Sequence, residues 1–287
     1  MKTLLVFGYG YTARVIGHDL LQQGWRVIGT TRSADKAAEM RADGVEAVIW
    51  PGDDITPALD AATHLLVSTA PNEGGDPVLA ELGEDIARRA GQFTWVGYLS
   101  TTAVYGNRDG DWVDETSDLR PATRRGELRV AAERAWLDLY ETTALPVHVF
   151  RLAGIYGPGR GPFAKVRSGT ARRIMKKGQV FSRTHVEDIS QVVRASIATP
   201  NPGAIYNVCD NDPAPPQEVI AEAARMLGLP LPEAVDFETA EMTAMARSFY
   251  AESKRVSNRR IIEELGITLK YPDYRSGLRA LLATEPD

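Results

Sequence analysis

The chain has 287 residues, of which 44% are hydrophobic and 25% are charged, and its formal net charge is −5. These values are typical of a globular α/β protein with one large domain, or with one domain and an attached lobe. The negative charge argues against a nucleic-acid partner, and no apolar run is long enough to cross a bilayer, so neither nucleic acid nor membrane is an expected partner.

Cysteine and histidine are sparse. Cys209 is the single cysteine, which excludes an intrachain disulfide, and the four histidines are scattered without metal-ligand spacing, so no metal site is predicted. The first apolar run stops at Gly8, too early for a signal peptide. We therefore expect a cytoplasmic protein.

A glycine-rich turn between the first apolar run and the first helical pattern is the feature that organises the chain. Such a strand, turn and helix form a phosphate-binding site, because glycine lets a pyrophosphate approach the backbone and the helix presents free N–H groups. Ala13 is small enough for close packing of the helix on the strand. The alternative is a β–α turn that binds nothing. The predicted dinucleotide-binding residues of this turn are Gly8, Tyr9, Gly10, Tyr11, Thr12 and Ala13.

Apolar runs alternate with helical patterns through the first half of the chain, which predicts an α/β doubly wound parallel sheet, the Rossmann fold. Residues 1–152 are predicted to form the dinucleotide-binding domain, rejoined by about 184–209. Residues 153–183 and 210–287 are predicted to form a small C-terminal substrate lobe. The predicted strands cover residues 2–7, 25–30, 45–50, 64–69, 93–99, 147–152 and 204–208, with helices at 78–90 and 217–227.

The residues after the second strand bear on the choice of cofactor. An acidic residue there would hold the ribose 2′-hydroxyl of NAD, whereas an arginine suits the 2′-phosphate of NADP. This chain has Thr31, Arg32 and Ser33, while Asp35 falls in the first turn of the next helix. We therefore expect NADP rather than NAD, although Arg32 also fits a solvated surface charge.

Further cofactor contacts are expected where later strands end, because ligands of parallel sheets bind beyond the carboxyl ends. Thr69 and Ala70 follow the fourth strand. Asp53 could approach the adenine, or serve as a turn or helix-capping residue.

The fifth strand runs into a segment with three consecutive hydroxyl side chains, residues 99–106. This segment, with residues 151–160 and 184–189, resembles the extended short-chain dehydrogenases/reductases, the NAD(P)-dependent epimerase/dehydratase family. The resemblance places Thr101 on the catalytic Ser/Thr, where it would orient a substrate carbonyl. It also implies cofactor contacts from Gly154 and Ile155.

The chain departs from this family at the Tyr-x-x-x-Lys pair. Alignment of the next helix puts Arg125 on the tyrosine and Arg129 on the lysine. An arginine stays protonated and cannot exchange a proton near neutral pH. Arg129 could still hold the nicotinamide ribose, and Arg125 could bind an anionic substrate. For both arginines the alternative is a solvated helix face.

Three other residues, Tyr105, Tyr156 and His185, could replace the missing proton donor, and for both tyrosines packing in a loop is the alternative. His185 is the best candidate by its ordinary pKa, and Tyr105 is second by location, although each could also be a loop anchor. A basic run at residues 253–260 is interpreted as a solvated helix start.

The sequence thus predicts an NADP(H)-binding oxidoreductase or epimerase/dehydratase for a small polar or anionic substrate. The alternative is a non-catalytic dinucleotide-binding sensor or scaffold. A homodimer is one assembly that this interpretation allows.

Overall fold

The computed structural model describes residues 1–284. Thirteen strands alternate with eleven α-helices in this range. The strands are β1 (Thr3–Phe7), β2 (Arg26–Thr31), β3 (Glu46–Ile49), β4 (His64–Val67), β5 (Trp95–Thr101), β6 (Trp112–Val113), β7 (Val147–Leu152), β8 (Gly154–Tyr156), β9 (Arg173–Met175), β10 (Arg183–His185), β11 (Ile205–Val208), β12 (Ala234–Asp236) and β13 (Arg255–Val256).

The helices vary in length from five to twenty residues. They are α1 (Tyr11–Gln22), α2 (Ala34–Ala42), α3 (Thr56–Ala61), α4 (Pro77–Arg88), α5 (Arg124–Thr143), α6 (Phe163–Arg167), α7 (Val186–Ala198), α8 (Pro216–Met226), α9 (Ala244–Phe249), α10 (Arg259–Leu265) and α11 (Tyr274–Thr284). Short 3₁₀ turns cover Ala90–Gln92 and Thr102–Tyr105.

Seven strands form one parallel sheet in the order β11-β7-β5-β4-β1-β2-β3. The strand order reverses beside β1, between β4 on one side and β2 on the other. This confirms the predicted doubly wound sheet. The reversal point is where open α/β sheets bind ligands, at the carboxyl ends of the strands.

The central strands of this sheet are mostly apolar and buried, as is typical of a parallel sheet that helices cover on both faces. β1 and β4 are buried at every position, and Trp136 of α5 is fully buried in the same hydrophobic core. This packing fixes the strand ends that carry the predicted cofactor contacts.

The chain divides into two compact units. Unit 1 contains residues 1–101, 127–151 and 189–206, and unit 2 contains the remaining described residues from 102–126, 152–188 and 207–284. The last three residues of the predicted lobe, 285–287, lie outside the described residues.

Residues 102–126 belong to unit 2, whereas the sequence places them with residues 1–101 in the predicted first domain. The reason is backbone pairing that local sequence does not reveal. β6 pairs in parallel with β13, and the N–H groups of Arg108 and Gly110 both donate to the Ser253 carbonyl, at 2.9 and 3.0 Å.

Unit 2 has three two-stranded parallel sheets, β8–β10, β9–β12 and β6–β13, among its described residues. Its hydrophobic core joins α6, α8 and α11 through buried residues such as Phe163, Ala223 and Leu278. None of the helices within residues 1–284 is long and apolar enough to span a membrane.

Candidate functional site

The turn after β1 is held by hydrogen bonds to β2. The Gly8 N–H donates to the Thr30 hydroxyl at 2.9 Å, and the Tyr9 N–H donates to the Thr30 carbonyl at 3.0 Å. Gly8 has a φ of +82°, and an added Cβ would lie 3.1 Å from the Thr69 Cγ2 at the end of β4. The fold itself therefore requires glycine at position 8.

Gly10 is different, because the fold does not require glycine there. Its φ of −98° and ψ of −161° are ordinary extended values. Beyond its chain neighbours, the nearest heavy atom to an added Cβ would be the Gly8 carbonyl oxygen at 3.9 Å. Gly10 is the N-cap of α1 and is exposed, and no side chain caps this helix. The open space in front of Gly10 fits a phosphate group that approaches the helix N-terminus.

The side chains of the turn point mostly inward. The Tyr9 ring packs on Gly29 of β2, with its Cδ2 2.8 Å from the position of an added Cβ, and burial raises the Tyr9 pKa to about 12. Thr12 and Ala13 are buried in the first turn of α1. The predicted cofactor contact of Tyr9 is therefore better suited to its main chain than to its ring, and it stays a prediction.

The end of β2 presents one free cation. Arg32 is exposed, and its guanidinium makes no hydrogen bond or ion pair within residues 1–284. Its neighbours are engaged locally, since the Thr31 hydroxyl accepts from the Ser33 N–H at 3.2 Å and the Ser33 hydroxyl caps α2 at the Lys36 N–H. Asp35 lies in the first turn of α2, as the sequence suggests.

Asp53 serves a turn. Its Oδ2 accepts a hydrogen bond from the Ile49 N–H at 2.9 Å, where the chain leaves β3. The side chain is exposed, so a contact with adenine stays a prediction. Ala70, also exposed, follows β4 and likewise stays a predicted contact.

Arg129 of α5 connects the ends of β4 and β5. Its Nη1 donates to the Leu99 carbonyl at 2.9 Å, to the Tyr98 hydroxyl at 3.0 Å and to the Thr69 carbonyl at 3.4 Å. The guanidinium also lies over the Tyr98 ring, 5.5 Å from its centroid. The structure thus brings Gly8, Thr69 and Arg129 together at the strand ends of unit 1.

A buried ion pair lies beneath Thr101, and sequence reasoning missed it. The Arg151 Nη2 donates to the Glu133 Oε2 at 2.8 Å, and both side chains are 3% exposed. The Ser100 hydroxyl donates to Glu133 Oε1. This network joins α5, β5 and β7 one residue before Thr101, which is half-buried at the end of β5. The only sequence signal is the charge of Glu133 and Arg151 within otherwise buried patterns.

In unit 2, Arg125 is exposed in the first turn of α5. The adjacent Gly126 lies against the 3₁₀ turn Thr102–Tyr105, since an added Cβ would be 3.2 Å from the Ala103 carbonyl oxygen. Tyr105 in that turn is fully buried and donates to the Asn207 Oδ1 at 2.7 Å. Tyr105 is therefore buried and anchored to Asn207, which argues against proton transfer to a ligand, and its role as proton donor stays a prediction.

His185 is also buried, being 1% exposed at the end of β10. Its ring packs against Tyr156 and Tyr271, with centroids 5.1 and 4.0 Å apart, and burial lowers its pKa to about 4. Its Nδ1 accepts from the Glu187 N–H at 3.2 Å. Burial and the lowered pKa argue against titration of His185 near neutral pH, its predicted role as proton donor stays a prediction, and the residue anchors the start of α7.

Gly154 and Ile155 form β8 with Tyr156, paired in parallel with β10. Gly154 is exposed and Ile155 is half-buried. Their cofactor contacts stay predictions.

The sheet order and the turn after β1 define the class of protein. The chain has the fold of the NAD-dependent epimerases and dehydratases, the extended short-chain dehydrogenases/reductases. An example is the dTDP-glucose 4,6-dehydratase of Bacillus anthracis solved in complex with NAD, with a TM-score of 0.82, 17% identity, and coverage of 99% of this chain and 96% of that one.

Within this fold, the chain belongs to the same family as a conserved protein of unknown function from Silicibacter pomeroyi DSS. The two are 63% identical, with 99% of each chain covered and a TM-score of 0.94. The chain is also 27% identical to protein YeeZ of Escherichia coli K12 over 95% of this chain and 97% of that protein. No family model matches the chain.

Proposed function

We propose that the chain binds NADP(H) at the turn of residues 8–13 and acts as an oxidoreductase or epimerase/dehydratase on a small polar or anionic substrate. The observation that carries this proposal is the contrast between Gly8, which the fold requires, and Gly10, which it does not. At an uncapped helix N-terminus, a residue without a side chain leaves room for a phosphate to accept hydrogen bonds from the free N–H groups. Phosphate binding would therefore explain the glycine at position 10. The dehydratase of the same fold was solved with NAD.

The choice of NADP(H) over NAD(H) is supported by Arg32. It is the exposed cation that follows β2, and it has no recorded carboxylate partner among residues 1–284. A guanidinium there suits a 2′-phosphate, and no acidic side chain replaces it. When bound, the nicotinamide would supply or accept hydride.

An anionic substrate is supported by cations of unit 2. Arg125 is exposed at the first turn of α5, where the helix dipole disfavours a positive charge unless an anion is bound. A cavity of about 500 Å³ in the same unit is lined by Lys176, Lys177 and Arg255, with Asp236 as its acidic residue. Thr101 would donate a hydrogen bond to the substrate carbonyl, as the family resemblance implies.

The test is a calorimetric titration of NADPH into Gly10→Val. The matched control is Gly91→Val, because an added Cβ at Gly91 meets no heavy atom within 4 Å, its counterpart at Gly10 meets one only at 3.9 Å, and neither φ is positive. We expect Gly10→Val to fold, by circular dichroism, and to bind at least about 100-fold more weakly. Gly91→Val should bind like the unaltered protein. A folded Gly10→Val that binds normally would refute the proposed site.

A non-catalytic dinucleotide-binding protein is the second candidate. It is favoured because Arg125 cannot donate a proton near neutral pH and the alternative donors, His185 and Tyr105, are buried. A screen of polar and anionic carbonyl compounds and alcohols, following NADPH absorbance, separates the two. Tight NADPH binding without turnover across the screen would favour this second function.

A further inference from the structure

A second, smaller cavity of unit 2 has the character of an anion site. Its volume is about 330 Å³, at the lower end of small-molecule pockets. Three cationic side chains line it, Lys165, Arg172 and Arg183, and none of its lining residues is a carboxylate within the described chain. The other lining residues are Thr170, Ala171, Ile174, Pro216, Val219, Ile220 and Tyr250.

The ion pair and the hydrogen bonds made by these cations leave the charge of the cavity positive. Arg172 makes an ion pair with Glu233 at 3.6 Å, but both side chains are largely exposed, so this pair is weak. The Arg183 guanidinium is fixed by backbone carbonyls, since its Nη1 donates to the Phe181 and Ala214 carbonyls at 2.9 and 3.0 Å. Carbonyls orient a guanidinium without neutralising it.

The N-terminus of α8 adds to this positive character. Pro216, the first residue of the helix, lines the cavity, and no side chain caps the helix. Glu218 in the first turn is not a lining residue. The helix dipole and the three cations thus favour negative charge at one side, while Ile174 and Ile220 provide an apolar wall.

Asp210 lies behind Arg183 and is 2% exposed. Its N–H donates to the Arg183 carbonyl at 2.7 Å, its Oδ1 accepts from the Asp212 N–H, and its Oδ2 has no partner within residues 1–284. Burial raises the Asp210 pKa to about 8, and the Arg183 charge opposes this rise. The other charged or titratable groups that interact with it are Cys209 and Asp212 of the same loop, Asp273 before α11 and Tyr156 of β8.

We propose that this cavity binds the phosphate, sulfonate or carboxylate group of a small ligand with an apolar part, and that binding is accompanied by proton uptake at Asp210. A bound anion draws on the same Arg183 charge that stabilises ionised Asp210, so an ionised Asp210 and a bound anion disfavour each other. The inference does not depend on dinucleotide binding and is tested without it.

The sign of the pH dependence follows from this coupling. Below about pH 7 Asp210 is already protonated, so anion binding takes up no proton there. Near and above pH 8 the free protein holds Asp210 partly ionised, so binding takes up a proton and affinity falls as pH rises. A variant without the Asp210 carboxylate should show neither the proton uptake nor the fall in affinity.

The probe is benzenesulfonate, which keeps one negative charge between pH 6 and 9 and carries an apolar ring. Calorimetry at pH 6.5 and 8.5, in buffers of different ionisation enthalpy, gives affinity and proton uptake. We expect affinity to be about threefold or more lower at pH 8.5, with proton uptake there and none at pH 6.5. Asp210→Asn should still bind, with no proton uptake and no such pH dependence.

Charge variants locate the site. Arg172→Gln should weaken binding about threefold or more, whereas Arg279→Gln, which removes an equal charge from an exposed position of α11 that lines neither cavity, should leave it unchanged. Benzyl alcohol, which has the ring without the charge, should bind more weakly than benzenesulfonate. The anion site is contradicted if benzenesulfonate does not bind, if the two charge variants weaken its binding equally, or if benzyl alcohol binds as tightly as benzenesulfonate. The role of Asp210 is contradicted if the unaltered protein takes up no proton on binding at pH 8.5. If Asp210→Asn does not fold, the two-pH measurement on the unaltered protein decides.

Discussion

At the scale of single residues, two glycines of the same turn have different physical roles. Gly8 has left-handed backbone geometry and lies against Thr69, whereas Gly10 has extended geometry and faces open space. Sequence alone makes both of them elements of one motif. The structure separates the glycine needed for folding from the glycine that leaves room for a ligand.

Alanine substitutions should separate these roles as changes in stability. Gly8→Ala should lower the free energy of unfolding by about 1–2 kcal/mol, because alanine is strained at positive φ. Gly10→Ala should leave it unchanged or raise it by up to about 1 kcal/mol. Urea denaturation measures both variants. Equal destabilisation would show that Gly10 is also required by the fold.

His185 shows at the same scale how burial overrides an ordinary pKa. In the sequence, a loop histidine near the expected cleft is a natural acid/base candidate. In the structure it lies between two tyrosines and its pKa falls to about 4. Burial depends on Tyr271, which is far away in the sequence, so a local motif could not reveal it.

At the scale of elements, a buried ion pair joins helix α5 to the sheet. Glu133 of α5 pairs with Arg151 of β7 and accepts from Ser100 of β5. Removing one partner of a buried pair leaves an uncompensated charge, which costs more than the pair contributes. The pair therefore fixes the position of α5, the helix that also carries Arg129.

Glu133→Gln should lower the free energy of unfolding by about 3–5 kcal/mol, because Arg151 then stays buried without its carboxylate. The exposed Glu141→Gln on the same helix is the control and should change it by less than about 0.5 kcal/mol. The double variant Glu133→Leu/Arg151→Met should recover most of the loss. Chemical denaturation measures the free energy of unfolding of all three variants. A double variant that loses as much stability as Glu133→Gln, or more, would contradict this account.

The elements of the main sheet could be predicted because each buried strand is a continuous apolar run. β7 coincides with its predicted residues, 147–152, β11 begins one residue later than predicted, and β2 is shifted by one residue at both ends. β5 continues to Thr101, two residues beyond the prediction, because Ser100 finds a buried partner in Glu133. The strands of unit 2 were missed because two or three residues are too few to show an alternating pattern.

Lys254 shows why the basic run at residues 253–260 was misinterpreted in part. The sequence suggests a solvated helix start, yet Lys254 is 9% exposed and its Nζ donates to the Gly106 carbonyl at 2.9 Å. Its charge is balanced by Glu252. The Gly106 contact is 148 residues away in the sequence, so only the tertiary structure shows that this lysine is buried.

At the scale of the whole molecule, buried histidines make stability depend on pH. Burial lowers the pKa of His64, His148 and His185 to about 4, whereas in an unfolded chain a histidine has a pKa near 6.5. The unfolded chain therefore binds more protons than the folded one between these values. The contribution of these three neutral histidines to the free energy of unfolding is complete above pH 6.5 and is lost as pH falls towards 4.

Asp210 acts in the opposite direction because its folded-state pKa is raised to about 8. The unfolded state gains stability from its ionisation as pH rises from about 4 to 8, so this group favours folding at lower pH. We therefore predict that the free energy of unfolding rises slightly from pH 8 to 6.5 and falls from 6.5 to 4.5. Urea denaturation at a series of pH values measures this profile. A free energy of unfolding that rises steadily down to pH 4.5 would contradict the histidine pKa values.

The central claim is that this fold binds NADP(H), with Arg32 as the residue that selects it. The most direct measurement is calorimetric titration of NADPH and NADH into the unaltered protein and into Arg32→Ala. We predict that NADPH binds at least about tenfold more tightly than NADH, a difference of about 1.4 kcal/mol, and that Arg32→Ala loses this preference while NADH affinity stays the same. Binding of neither nucleotide would contradict the claim of dinucleotide binding, and equal affinities would contradict the role of Arg32.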